Sequence, residues 1–150
     1  MSKKFPSAAA RTLLAGVIAL GAAAGASAAS APDYLLVDKS SDALIDDATV
    51  RSMFAEFVSP KMARLYPTNK WGFGVQVEGG ITQANTCVVT ARVMLLQRNL
   101  PVTTKLLLFK PERMATAFDA LPNASAQQCR DLSKAKLRES FDALRSVLAP

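Results

Sequence analysis

No histidine occurs anywhere in the 150-residue chain. That absence excludes Ser-His-Asp and Cys-His nucleophile systems, His-ligated zinc and an imidazole pH switch. Two cysteines are too few for a Cys₄ zinc or iron–sulfur site. Half the residues are hydrophobic, which is not a disordered composition, and the length suits one small domain.

Charge is missing altogether between Arg11 and Asp33. Lys3, Lys4 and Arg11 precede that run, Leu13 to Leu20 form its apolar heart, and Ala26-Ser-Ala28 ends it. This three-part pattern predicts a signal peptide over residues 1–28, cleaved after Ala28. The competing reading is an uncleaved membrane helix, but the strongly apolar part is short for a membrane core. No cysteine precedes Cys87 to carry a lipid anchor, and no Arg-Arg pair marks a twin-arginine signal. The expected compartment is periplasmic or extracellular, with no membrane span after cleavage.

Cleavage removes three of the 18 cations and none of the 12 anions, so net charge falls from +6 to +3. A mildly basic exported chain without a concentrated basic stripe does not read as a nucleic-acid binder. Export also predicts that Cys87 and Cys129 pair as a disulfide, since thiols oxidise outside the cytoplasm.

Residues 29–42 read as a linker or short edge strand, with Tyr34 to Val37 as the strand. A compact α+β domain is expected over 43–150. Asp46 or Asp47 can cap a helix whose Val50, Met53, Phe54, Phe57 and Val58 make one apolar stripe. Ser59-Pro60 caps and starts a shorter helix carrying Met62 and Leu65, and Pro67 stops it. The period then changes to two. Trp71, Phe73, Val75 and Val77 alternate with smaller or polar residues before a turn at Gly79-Gly80. Thr86 to Gln97 is a second strand, Arg98 to Pro101 a turn, and Val102 to Lys110 a third strand. Together these predict an antiparallel meander of about three strands packed against N- and C-terminal helices. Pro111 is read as a helix start, with Met114, Ala117, Phe118 and Leu121 on one side and Pro122 as its stop. A last helix is expected from Ala126 to Leu148, with Leu137, Phe141, Leu144 and Leu148 as its stripe.

Pairing Gln97 with Val102 puts Cys87, Val89, Ala91, Val93 and Leu95 on one almost wholly apolar face, which should meet the helices. The other face holds Thr90, Arg92, Met94 and Leu96 with Thr103, Lys105, Leu107 and Phe109. Arg92, Met94, Lys105, Leu107 and Phe109 are therefore the candidate binding surface, joined by Trp71 and Phe73 if the first hairpin turns them outward. Aromatic and cationic residues together suit a protein interface. The plain alternative is that another helix covers this face.

Catalytic motifs are weak. Gly72-Phe-Gly74 lacks a third glycine at position 77, which is Val. Ser133-Lys-Ala-Lys136 matches S-x-x-K without its companion motifs and reads as two solvated helix residues. Twelve carboxylates offer no spacing that selects an acid–base pair. No cofactor or metal is expected. The leading expectation is an exported, non-enzymatic protein that binds another envelope or secreted protein, as an inhibitor, immunity protein or assembly accessory. One alternative is a small-molecule or lipid carrier with a cavity lined by Met53, Phe57, Trp71, Phe73 and Phe118. Another is a small carboxylate hydrolase.

Overall fold

The structure, a computed structural model, describes residues 33–98 and 110–149. The expected signal peptide, all of the expected strand Val102 to Lys110 except its last residue, and the candidates Lys105, Leu107 and Phe109 lie outside them.

The chain opens with a short strand, β1 (Leu35–Asp38), followed by helices α1 (Asp47–Phe57) and α2 (Pro60–Leu65). Asp46 caps α1 by accepting from the Thr49 amide, as its sequence position predicts. Ser59 caps α2 through the Met62 amide, and Pro60 opens it where a missing N–H costs nothing. Strands β2 (Trp71–Ile81), β3 (Thr86–Gln97) and β4 (Lys110–Pro122) follow, and then helix α3 (Ala126–Leu148). Ser125 and Gln128 close a reciprocal capping box at the start of α3.

The fold class is α+β. The sheet order is β1-β2-β3-β4, with β3 antiparallel to both β2 and β4, and β1 parallel to β2. A parallel pair needs a crossover, and α1 with α2 supplies it. The sheet thus has four strands and one parallel pair, where a three-stranded meander was expected.

Three expectations are corrected. Residues 111–121 form most of β4 and not a helix. Met114, Ala117, Phe118 and Leu121 do repeat at helical spacing, but Ala115 and Ala117 also alternate with Met114, Thr116 and Phe118. The twelve-residue β3 offers a full ladder to pair with, and that tertiary pairing outweighs the local pattern. Pro111 and Pro122 fit the ends of an edge strand as well as those of a helix. The assumed Gln97–Val102 pair is replaced by Gln97 opposite Lys110, with a bulge between Leu95 and Leu96. Likewise, Gly79-Gly80 is not the hairpin turn. Both glycines lie within β2 at positive φ, and a Cβ on Gly79 would fall 1.9 Å from the Val88 carbonyl oxygen. The turn comes later, at residues 82–85, where Asn85 takes the left-handed conformation.

The core lies on one side of the sheet. Val50, Met53, Phe54 and Phe57 of α1, Met62 of α2, and Leu137, Phe141, Leu144 and Leu148 of α3 meet Phe73, Val75, Val77, Val89, Ala91, Val93 and Leu95. Phe57 joins the layers, 5.5 Å from the Phe73 ring and 4.9 Å from the Phe141 ring. Cys87 and Cys129 form a disulfide with Cα atoms 5.6 Å apart, tying the first turns of α3 to the start of β3. The expected inward face of β3, from Cys87 to Leu95, is buried as derived.

Candidate functional site: the open sheet face

Alternation along β2, β3 and β4 sends every second residue away from the helices. Among the described residues no helix covers that outer side. On β3 it carries Val88, Thr90, Arg92, Met94 and Leu96; on β4 it carries Met114, Thr116, Phe118 and Ala120. Phe118 sits opposite Thr90 and is 78% exposed; Met114 sits opposite Met94 and is 56% exposed; Val88 is 41% exposed. An aromatic ring this open is costly to leave in water, and apolar residues clustered on one strip of surface characterise contact sites.

The rest of the face is shaped by what β2 lacks. Its outward positions begin with Gly72 and Gly74. A Cβ on Gly72 would come to 3.0 Å from the Leu35 carbonyl oxygen, so this glycine lets β1 close against β2. Over Gly74 the Met94 and Leu96 side chains fold inward, at 3.0 and 3.2 Å from where a Cβ would stand. They border a shallow depression of 220 Å³ with Val37, Gln76 and Pro111. Phe118 and Met114 therefore stand on the β4 side of the face, and the hollow lies toward β1.

Arg92 is at the centre, between Gln76 of β2 and Thr116 of β4. The Gln76 amide is turned to Glu78, which accepts from it at 2.6 Å. Among the described residues Arg92 has no carboxylate within 4 Å.

Of the sequence candidates, the structure brings Arg92 and Met94 together on this face. Phe73 is not on it; it is fully buried on the helix side, because its partner is Leu95 and paired residues point the same way. Trp71 shares that inner side, half-buried, with its ring edge-on to Tyr66 at 5.5 Å. Phe118 and Met114 take the place these two were given. Their signal was the period-two alternation of Ala115 and Ala117, hidden by the overlapping helical spacing. Nor do the five residues proposed to line a cavity surround one space. Phe57 and Phe73 are in mutual contact, and Phe118 is on the opposite side of the sheet.

Several other side chains that could do chemistry have structural partners. Asp46 is held below the usual carboxylate range, first by the Thr49 amide and then by its hydroxyl. Asp119 is lowered by the Ala120 amide and by Lys136, 3.2 Å away. Lys136 is raised by its bonds to Glu139 and Asp119. Burial pushes the Tyr34 hydroxyl up, and it donates to the Tyr66 carbonyl. Ser133, expected in solvent beside Lys136, is fully buried and donates to the Cys129 carbonyl in its own helix. It faces the sheet because it is in phase with Leu137 and Phe141. Among the described residues no group of three metal-ligating side chains converges. A groove of 630 Å³ lies between α1 and α3 and is lined by Thr49, Ser52, Met53, Glu56, Lys134 and Arg138. It mixes both charges, and Arg138 stands 3.9 Å from Glu56. No known protein family, characterised protein or solved structure matches the chain.

Proposed function

We propose that this is an exported, non-enzymatic protein-binding domain that docks a partner protein on the open sheet face. The partner surface that fits is apolar, with one carboxylate to meet Arg92. The observation that carries the reading is Phe118, 78% exposed on a sheet face shared with Met114, Val88 and the cation Arg92, which has no carboxylate partner among the described residues. Such a group matches the anchor-plus-charge composition of interface centres. Export is supported by the pattern of residues 1–28 and by the disulfide.

The test is capture from envelope and secreted extracts with the disulfide-bonded protein as bait. One protein is expected in stoichiometric amount, displaced by free bait. Phe118→Asp should then weaken binding by about thirtyfold, the size of a hot-spot residue. Arg92→Glu should weaken it as well, and both variants should melt at the wild-type temperature. Retained binding in both variants would move the site off this face.

A further inference from the structure

The geometry points to a second copy of this chain as the partner of the free β4 edge, joined by antiparallel pairing of β4 with β4 about a two-fold axis at Thr116. This inference concerns the edge of the sheet and does not depend on the reading of its open face.

β4 runs for 13 residues at the edge of the sheet and pairs only with β3 among the described strands. Edge strands present unpaired N–H and C=O groups and are usually blunted by charged side chains, above all lysine, by proline, by bulges or by brevity. The charges between Pro111 and Pro122 are of both signs, Glu112, Arg113 and Asp119. Here Pro111 and Pro122 blunt only the ends. The stretch between them, Glu-Arg-Met-Ala-Thr-Ala-Phe-Asp-Ala-Leu, holds no proline or lysine.

The residues of that stretch are complementary to themselves. A two-fold axis perpendicular to the sheet keeps helix side with helix side, so the axis must pass through one residue position. With Thr116 at the axis, Arg113 of one copy faces Asp119 of the other, twice over, on the helix side. Ala115 faces Ala117 on that same helix side, and on the open side Met114 faces Phe118, also twice. Opposite charges and apolar pairs directly across an antiparallel ladder are the combinations that stabilise it. Moving the axis to Ala115 or Ala117 loses all of this: Arg113 then faces Ala117 or Leu121, and Phe118 faces Glu112 or Thr116. Arg113 is held only by its chain neighbour Glu112 among the described residues, donating to that residue's carbonyl at 2.8 Å with the carboxylate 3.6 Å away, so an exchange of this exposed local pair for Asp119 across the axis costs little. Asp119 already holds Lys136 and would gain a second cation.

The helices permit the approach. α3 packs over β3 and β4. Strands repeat every 4.8 Å or so, which puts the two copies of α3 about 10 Å apart across the axis. That is an ordinary interhelical distance. The result is one eight-stranded sheet with every helix on one side.

Sedimentation velocity on the protein purified from an oxidising compartment, over a wide concentration series, tests this directly. A reversible monomer–dimer equilibrium is expected. Thr116→Lys sets two like charges face to face at the axis and should weaken self-association by about tenfold at unchanged melting temperature. Arg113→Asp alone and Asp119→Lys alone should each weaken it as well, and mixing the two proteins should restore a heterodimer. Arg92→Glu, one strand in from the edge, should leave the dimer intact. The inference is overturned if the wild type stays monomeric throughout the series. It is equally overturned by a dimer indifferent to Thr116→Lys, or by a mixture that associates no better than its components.

Discussion

Two serines sit fully buried on the sheet-facing stripe of α3, seven residues apart, and their hydroxyls do different work. Ser140 donates to the Ala91 carbonyl of β3 at 2.9 Å, a bond between helix and sheet. Ser133 donates to the Cys129 carbonyl at 2.9 Å, within its own helix. Removing the first loses a long-range bond in a dry site; removing the second loses a local bond that adds little to a helix. Ser140→Ala should therefore cost about 1 kcal/mol, and Ser133→Ala less than about 0.5 kcal/mol, in denaturant titrations with unchanged slope. Equal losses would show that the bond to Ala91 has no special weight. Neither serine was legible as core, because hydroxyl residues on an apolar stripe look like gaps in it. Their phase with Leu137, Phe141 and Leu144 is the signal that places them.

Helix starts marked by a side-chain cap were legible, because caps are chemical and local, whereas Pro111 and Pro122 misled. Asp46, one of the two caps expected, and Ser59-Pro60 each mark a start that the structure reproduces. The Asp46 cap also makes α1 sensitive to acid. Its carboxylate is lowered in the folded chain, so its contribution is complete above the unfolded value near 4 and is lost as pH falls through the folded one. Asn also caps but does not titrate. Asp46→Asn should thus leave the melting temperature near neutral pH almost unchanged and make its decline below about pH 4 shallower. An unaltered acid limb would mean that the Thr49 bonds do not set the response. Strand β4 was illegible for the opposite reason. Its pattern fits two periods, and the choice is made by β3, a partner remote in the local pattern. The open-face residues Phe118 and Met114 were lost with it, whereas Arg92 and Met94, on the unambiguous strand β3, were found. The short parallel strand β1 was readable as an edge, but its direction relative to β2 is set by the crossover through α1 and α2.

At the scale of the whole molecule, the helical layer is held to the sheet by one apolar core and one covalent tie. Cys87–Cys129 closes a loop with a sequence separation of 42, which restricts the unfolded chain by about 4 kcal/mol in the chain-entropy description. Melting with and without reductant should differ by that order, and Cys87→Ala with Cys129→Ala should reproduce the reduced curve. Coincident curves would leave the core alone responsible. This pairing was legible from cysteine count and the expected signal peptide together, and Cys87 at the start of the expected strand Thr86 to Gln97 marked the end it would fasten. It fastens the end where Ile81 pairs with Cys87, and the chain's single tryptophan stands at the other end, where Trp71 pairs with Gln97. Ten residues of strand, about 33 Å, separate the two. Indole emission from Trp71, set against Tyr66, is thus a built-in optical gauge of the α2–β2 junction. A change in that light on cutting the bond between the sulfurs would be a message carried along the full length of the sheet.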